Sequence, residues 1–519
     1  MVETTIRSPA DERPSGILQA SIAVMMIALV PAAAVLEVPL PIIAGVGAIL
    51  AFTGLALRPE AATVVVVAAL YSNAAVVAVR FHHVPFLLAA GSVFLLAVPL
   101  GYYLLVRRMP LIMPRAVPWI MGYLGVQLAS TLLARDSGSA AESLVTFLTE
   151  GLLLYLLLVN VVRSERMVLV IVWTLLLVGA TLAVLSIHQD STQNFSSNYL
   201  GFAQVGGDQS GALPGEPVES RTAGPLGRAN RYAQILVIAL PLVLGIVWGK
   251  YSRRASLAAI VAGVLMVIAV GLTLSRGAAV GFVLVIGVMV AFRYIRWRHL
   301  ALVAIGVLVV FLAVPQYGAR LQSLQSVPGV ADAGVEADGS IRSRLTEMIA
   351  AALVFVDHPF LGVGPGQFPS YYIDYAQEFG LRVRAEDREA HNLYVGIASD
   401  TGLLGSIFFF GAIGVTLRDL AKTRRRLLAT RPRLAHMAAA FMFAITAYLT
   451  TGFFLHLAFE RYLWLMLAVG AAITVIGSAG PGGADDSLPG VSEQKPDRLS
   501  WIADHAAGQG PTDRSSDHG

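Results

Sequence analysis

Residues 143–187 read SLVTFLTEGLLLYLLLVNVVRSERMVLVIVWTLLLVGATLAVLSI. Two apolar blocks, 143–162 and 167–187, flank the polar hinge RSER. Each block is about 20 residues long, which as a helix crosses a hydrocarbon core of about 30 Å. Neither shows the apolar stripe of a surface helix, and a helix that is apolar all round belongs in lipid or in a large core. The segment reads as two transmembrane helices joined by a short basic turn.

The pattern extends in both directions. Further apolar stretches fall near 17–35, 38–57, 61–79, 84–106, 117–134, 232–249, 256–274, 277–292, 299–314, 391–416, 435–457 and 461–479. Together they predict an all-α polytopic membrane protein with about 12–14 transmembrane helices. Composition agrees. Of 519 residues 56% are hydrophobic and 13% charged, against about 25% charged in soluble domains. Mean hydropathy is +0.70. The chain has no Cys, which excludes disulfides, thiol nucleophiles and thiolate metal sites. The first apolar run is of spanning length and lacks a cleavage signature, so it reads as a helix and not as a removed signal.

Orientation follows from the loops. Those after even-numbered spans hold Arg58, Arg107, Arg108, Arg115, Arg163, Arg166, Lys250, Arg253, Arg254, Arg293, Arg296, Arg298 and the run 418–433. Short loops after odd-numbered spans hold little beyond Arg80, Arg135 and Arg461. The positive-inside rule then puts both termini in the cytoplasm and the odd loops outside. The expected organisation is a cytoplasmic segment 1–16, transmembrane helices over 17–187, an external loop 188–231, central helices over 232–314, a large external loop 315–390, C-terminal helices over 391–479, and a disordered cytoplasmic tail 480–519. Within the large loop, RSRLTEMIAAALVFVDHPFLG reads as a helix ending at Asp357-His358-Pro359.

The external segments carry Arg221, Arg228, Arg231, Arg276, Arg320, Arg342, Arg344, Arg382, Arg384 and Arg388, without one Lys. Long loops tolerate charge, which is one reading. The other is that planar, permanently charged forks bind phosphate oxygens bidentately. Arg276, in GLTLSRGAAVGF, sits between two apolar runs with almost no loop around it. It is either a functional cation or an interfacial anchor. His391 opens HNLYVGIASDTGLLG at an external helix mouth, as a candidate general base or a helix-terminal imidazole bonded to the backbone. Asp400 lies within the same apolar stretch, where a carboxylate needs a partner. GVGPGQF at 362–368 lacks the Lys of a phosphate-binding loop and reads as a tight turn. No metal-ligand set and no nucleic-acid signature is visible.

Three passages occur together in order: RTAGPLGRANRYAQILVIALPLVLG, LTLSRGAAVGF, and DHPFLGVGPGQF followed by HNLYVGIASDTGLLG. Over about residues 221–460 the chain resembles the O-antigen ligase and Wzy-type polymerase superfamily. The resemblance implies a GT-C-type glycosyltransferase fold with a large external loop, in a bacterial inner (plasma) membrane with the active site facing outside. It implies an inverting transfer from an undecaprenyl-pyrophosphate-type donor to a sugar hydroxyl, on lipid A core or on another glycan, with neither nucleotide sugar nor metal nor other cofactor. It implies catalytic roles for His391, Arg276 and Arg221, and substrate binding by Arg344, Arg342, Arg388 and Arg228. Ligase and polymerase stay undivided on these residues. Two other readings remain beside it: a flippase of lipid-linked oligosaccharide, although no internal repeat of the kind transporters show is visible, and a membrane acyltransferase, which would also use a His.

Overall fold

The computed structural model describes residues 60–85, 92–206, 221–295, 339–379, 388–456 and 460–479. The expected spans 17–35, 38–57 and 299–314 and the tail 480–519 lie outside the described residues, as do Arg320, Arg382, Arg384 and the side chain of Arg342. The described residues up to Ser478 fall in one compact unit.

The architecture is that of an all-helical polytopic membrane protein. Among the described residues seven helices are long and apolar enough to cross a membrane, or eight if one bent pair is a single span. The bent pair is α1 (Glu60–Tyr71) and α2 (Ala74–His82). Then come α3 (Val117–Thr131), α4 (Ser137–Val161), α5 (Glu165–Ser191), α6 (Ala229–Gly249), α7 (Arg253–Leu272) and α8 (Arg276–Ala291). The last group is α9 (Gly339–Asp357), α10 (Phe368–Glu378), α11 (Leu393–Leu427), α12 (Pro432–Thr451) and α13 (Arg461–Ser478).

The opening hydropathy argument for 143–187 corresponds to α4 and α5. Ser164 caps α5, its side chain accepting from the Met167 amide. Helices α6 and α13 are the most enclosed, and α6 packs chiefly on α12 and α7. Their burial on all sides is what a continuous apolar sequence permits. Helix α7 instead leaves Leu257, Ile260, Val261 and Val264 exposed. In a bilayer these side chains meet lipid tails at no cost.

Four expectations change. The stretch 61–79 is not one straight helix: α1 and α2 meet at 62°. Asn73 at the break adopts a left-handed backbone (φ 59°), and its amide is committed to Pro225 O and Arg461. The stretch 277–292 becomes a helix of 16 residues, shorter than a full span. The stretch 391–416 runs on to Leu427 and is broken at Gly402. A small antiparallel pair also interrupts the all-helical pattern: β1 (Gln204–Gly206) against β2 (Arg221–Gly224), with Val205 opposite Thr222 and Gly206 opposite Arg221.

The break at Gly402 follows from a close approach. Its backbone (φ 64°, ψ −165°) is one only glycine adopts readily, and a Cβ there would lie 2.3 Å from Phe360 O. The segment 359–368 is wedged against this break. Leu403 N donates to Pro359 O at 2.7 Å and Val363 N to Ser399 O at 3.0 Å. The Asp400 carboxylate accepts from Gly366 N and Phe368 N at 3.0 and 3.2 Å. That is the partner its position in an apolar helix demanded. The GVGPGQF turn is therefore a plug that satisfies a broken helix.

Candidate active site

His391 and Arg276 both stand where a helix begins. Asn392 caps α11, its side-chain oxygen accepting from Tyr394 N and Val395 N. His391, one residue earlier, has φ 46°, an uncommon backbone for a non-glycine residue. Ser275 caps α8, its hydroxyl accepting from Ala278 N, and Arg276 is the first helical residue.

The two helix starts meet on one platform, the turn 452–456. A Cβ on Gly277 would lie 2.7 Å from Cβ of Phe454, so the glycine of the SRG passage lets α8 pack directly on this turn. From the other side Asn392 donates to Phe453 O at 3.1 Å. The turn ends in His456, whose ring lies 5.9 Å from that of His391, edge to face.

Nδ1 of His391 hydrogen-bonds to the Glu389 carbonyl at 2.9 Å. The carboxylate of Glu347, on α9, stands beside it with Oε2 3.0 Å away. Glu347 is only 1% exposed, so its charge is shielded from water and set against the imidazole. Arg388 Nε is 4.0 Å from the other Glu347 oxygen. With Nδ1 occupied as a donor, Nε2 is left as the basic nitrogen. An imidazole held in this way can serve as an oriented base.

A second set adjoins the first. Arg231, buried in the first turn of α6, donates to His456 O at 2.6 Å and contacts His456 Nδ1 at 2.8 Å. Nε2 of His456 meets the Glu389 carboxylate. Arg228 reaches the other Glu389 oxygen at 3.8 Å. Burial, then Arg231, His391 and Arg228, hold the His456 pKa well below its ordinary value.

The expected residues are placed as follows. His391, Arg388 and Arg228 belong to this cluster. Arg276 is exposed at the start of α8 and makes no ion pair with a described residue. Arg344 is half-buried on α9, one turn before Glu347. Arg221 lies on β2, opposite Gly206. Glu347, Glu389 and His456 were missed. Glu347 falls in a helix whose sequence shows only amphipathicity, and His456 follows an apolar run.

A cleft of about 310 Å³ opens beside Glu389, lined also by Arg80, Arg228, Gln204, Phe81 and Pro225. Among the described residues no three His, Asp or Glu side chains converge as a metal site requires. The site combines a positioned imidazole with guanidinium groups, which is the equipment for deprotonating a hydroxyl beside an anionic group. The chain finds no match among the curated proteins. Residues 261–410, which hold Arg276, Glu347, Glu389 and His391, match the family model Wzy_C, described as O-Antigen ligase, and this part of the chain is similar to that family.

Proposed function

We propose that this protein is a glycosyltransferase that moves a glycan from a polyprenyl-pyrophosphate-type lipid to a sugar hydroxyl. The observation that carries the reading is the pinned imidazole: Nδ1 of His391 engaged by Glu389 O at 2.9 Å, with the Glu347 carboxylate 3.0 Å away. The match of 261–410 to O-antigen ligases supports the substrate class.

In the reaction, the acceptor oxygen attacks the anomeric carbon and its proton passes to Nε2 of His391. The bond from that carbon to the pyrophosphate oxygen breaks, and the polyprenyl pyrophosphate leaves. Attack opposite the leaving group inverts the anomeric centre. Glu347 offsets the positive charge that forms on the imidazole.

Arg276 holds the pyrophosphate. A cation at a helix N-terminus opposes the helix dipole, whereas an anion there is favoured by both. The placement of Arg276 as the first residue of α8 is therefore unfavourable in the free protein and compensated when phosphate binds. Arg221 contributes to the same anion from the β hairpin, and Arg228, Arg342, Arg344 and Arg388 supply further positive charge around the substrate. The sugar next to the bond occupies the cleft beside Glu389. The acceptor is lipid A core in a ligase or a growing glycan in a polymerase.

The site faces outside a bacterial inner membrane, with both termini inside. Support comes from α11, which begins at the His391 end and finishes in Arg424, Arg425 and Arg426, the type of basic run that stays in the cytoplasm. The test supplies the purified chain with a lipid-linked oligosaccharide and candidate acceptors. Transfer by wild type and none by His391→Ala is expected. Transport of the labelled donor across a liposome, without transfer, would replace this reading by a flippase.

A further inference from the structure

We propose that His456 is a positioning residue for the His391 base, held as a neutral imidazole with its hydrogen on Nε2 between Arg231 and Glu389. The inference rests on the reading of His391 as the base.

The tautomer follows from the partners. A guanidinium only donates, so the His456 Nδ1 that lies 2.8 Å from Arg231 Nη2 must present its lone pair. The remaining hydrogen is then on Nε2, which faces the Glu389 carboxylate, an acceptor. A protonated ring would set an N–H against Arg231, so the contact selects the neutral form.

Arg231 is itself fixed. It is 3% exposed, donates to His456 O at 2.6 Å and lies 3.4 Å from Gln234 Oε1. Gln234 in turn donates to Thr451 at the base of the same turn. The ring is thus a rigid spacer with an acceptor at one end and a donor at the other.

What it spaces is Glu389. The side chain of this residue is held by His456 and Arg228, and its carbonyl takes the Nδ1 bond of His391. Fixing the side chain fixes the peptide, whose carbonyl, beside the Glu347 carboxylate, takes the Nδ1 hydrogen of His391 and leaves the lone pair on Nε2. Arg231 and His456 both lie outside the matched residues 261–410. Orientation errors of about 1 Å at a reacting group can cost about 100-fold in rate.

The test has three arms. In wild type, nitrogen-15 spectra of the histidines should show His456 neutral with hydrogen on Nε2, and His391 with hydrogen on Nδ1. His456→Leu should lower kcat about tenfold or more with KM nearly unchanged, and should mix the tautomers of His391. His456→Gln, whose amide offers one acceptor and one donor, should restore most of kcat. A charged His456, or a His456→Leu enzyme with wild-type kcat, would overturn the inference. If His391→Ala keeps full activity, the functional reading fails first, and that outcome is distinct from a failure confined to His456.

Discussion

Glu347 Oε2 lies 3.0 Å from Nδ1 of His391, although the two residues belong to different helical segments separated by the plug 359–368. The carboxylate is buried, and Arg388 and this imidazole are among its partners. In the proposed mechanism, its removal acts on the charge that His391 would acquire during transfer. Glu347→Gln keeps the shape and removes the charge. It should cost on the order of 100-fold in kcat while donor binding is kept. Single-turnover transfer together with a donor-binding titration checks this. An unchanged kcat would show that Glu347 is structural only.

The plug makes a separate prediction about stability. Asp400→Ala strands the amides of Gly366 and Phe368 and should cost about 2 kcal/mol. Gly402→Ala forces a side chain into a backbone that tolerates none, 2.3 Å from Phe360 O, and should cost about 3 kcal/mol. Both appear as lowered unfolding temperatures in detergent. Equal stability of Gly402→Ala and wild type would mean that the helix is not broken there.

The buried Arg461 ties the bent pair α1–α2 to α4 and α13. Arg461 on α13 bonds Glu150 on α4 and Asn73 at the α1–α2 break. Arg461→Leu leaves Glu150 without its cation and frees the amide that holds the bend. The expected loss is about 3 kcal/mol. Glu150→Gln in the same background should recover part of it, because the uncompensated charge is gone. Thermal unfolding of the two variants decides the point, and no recovery would contradict it.

His456 gives the fold a pH dependence. Its pKa in the folded protein lies below the value of about 6.5 that it takes when unfolded. Below that value the unfolded chain binds the proton more readily, so stability falls as the solution is acidified. It is complete above about pH 6.5. The unfolding temperature should drop on acidification in wild type and drop less in His456→Gln. Identical slopes would show that His456 is not buried between Arg231 and Glu389.

The spans were legible because lipid leaves a coarse signature: a run of apolar residues of fixed length, as in 143–187. The helix ends that carry the proposed chemistry were partly legible. Arg276 and His391 stood out because a charged or titratable group beside an apolar run is costly. Glu347 did not, because an acidic residue in an amphipathic helix is ordinary until the chain brings Nδ1 of His391 to it. The bend at Asn73 was invisible for a similar reason, since its cause is a bond to Arg461, distant in sequence. The break at Gly402 was invisible too, because the plug that breaks its helix is a tertiary contact. The side chain of Arg342 and the spans before residue 60 lie outside the described residues.

The most direct measurement is single-turnover transfer of a labelled glycan from its polyprenyl-pyrophosphate lipid, by wild type, His391→Ala and Arg276→Ala, each checked for intact folding. The account predicts loss of transfer by about 100-fold or more in His391→Ala with donor binding retained. It predicts weakened donor binding in Arg276→Ala. Transfer by His391→Ala at the wild-type rate would contradict the account at its centre.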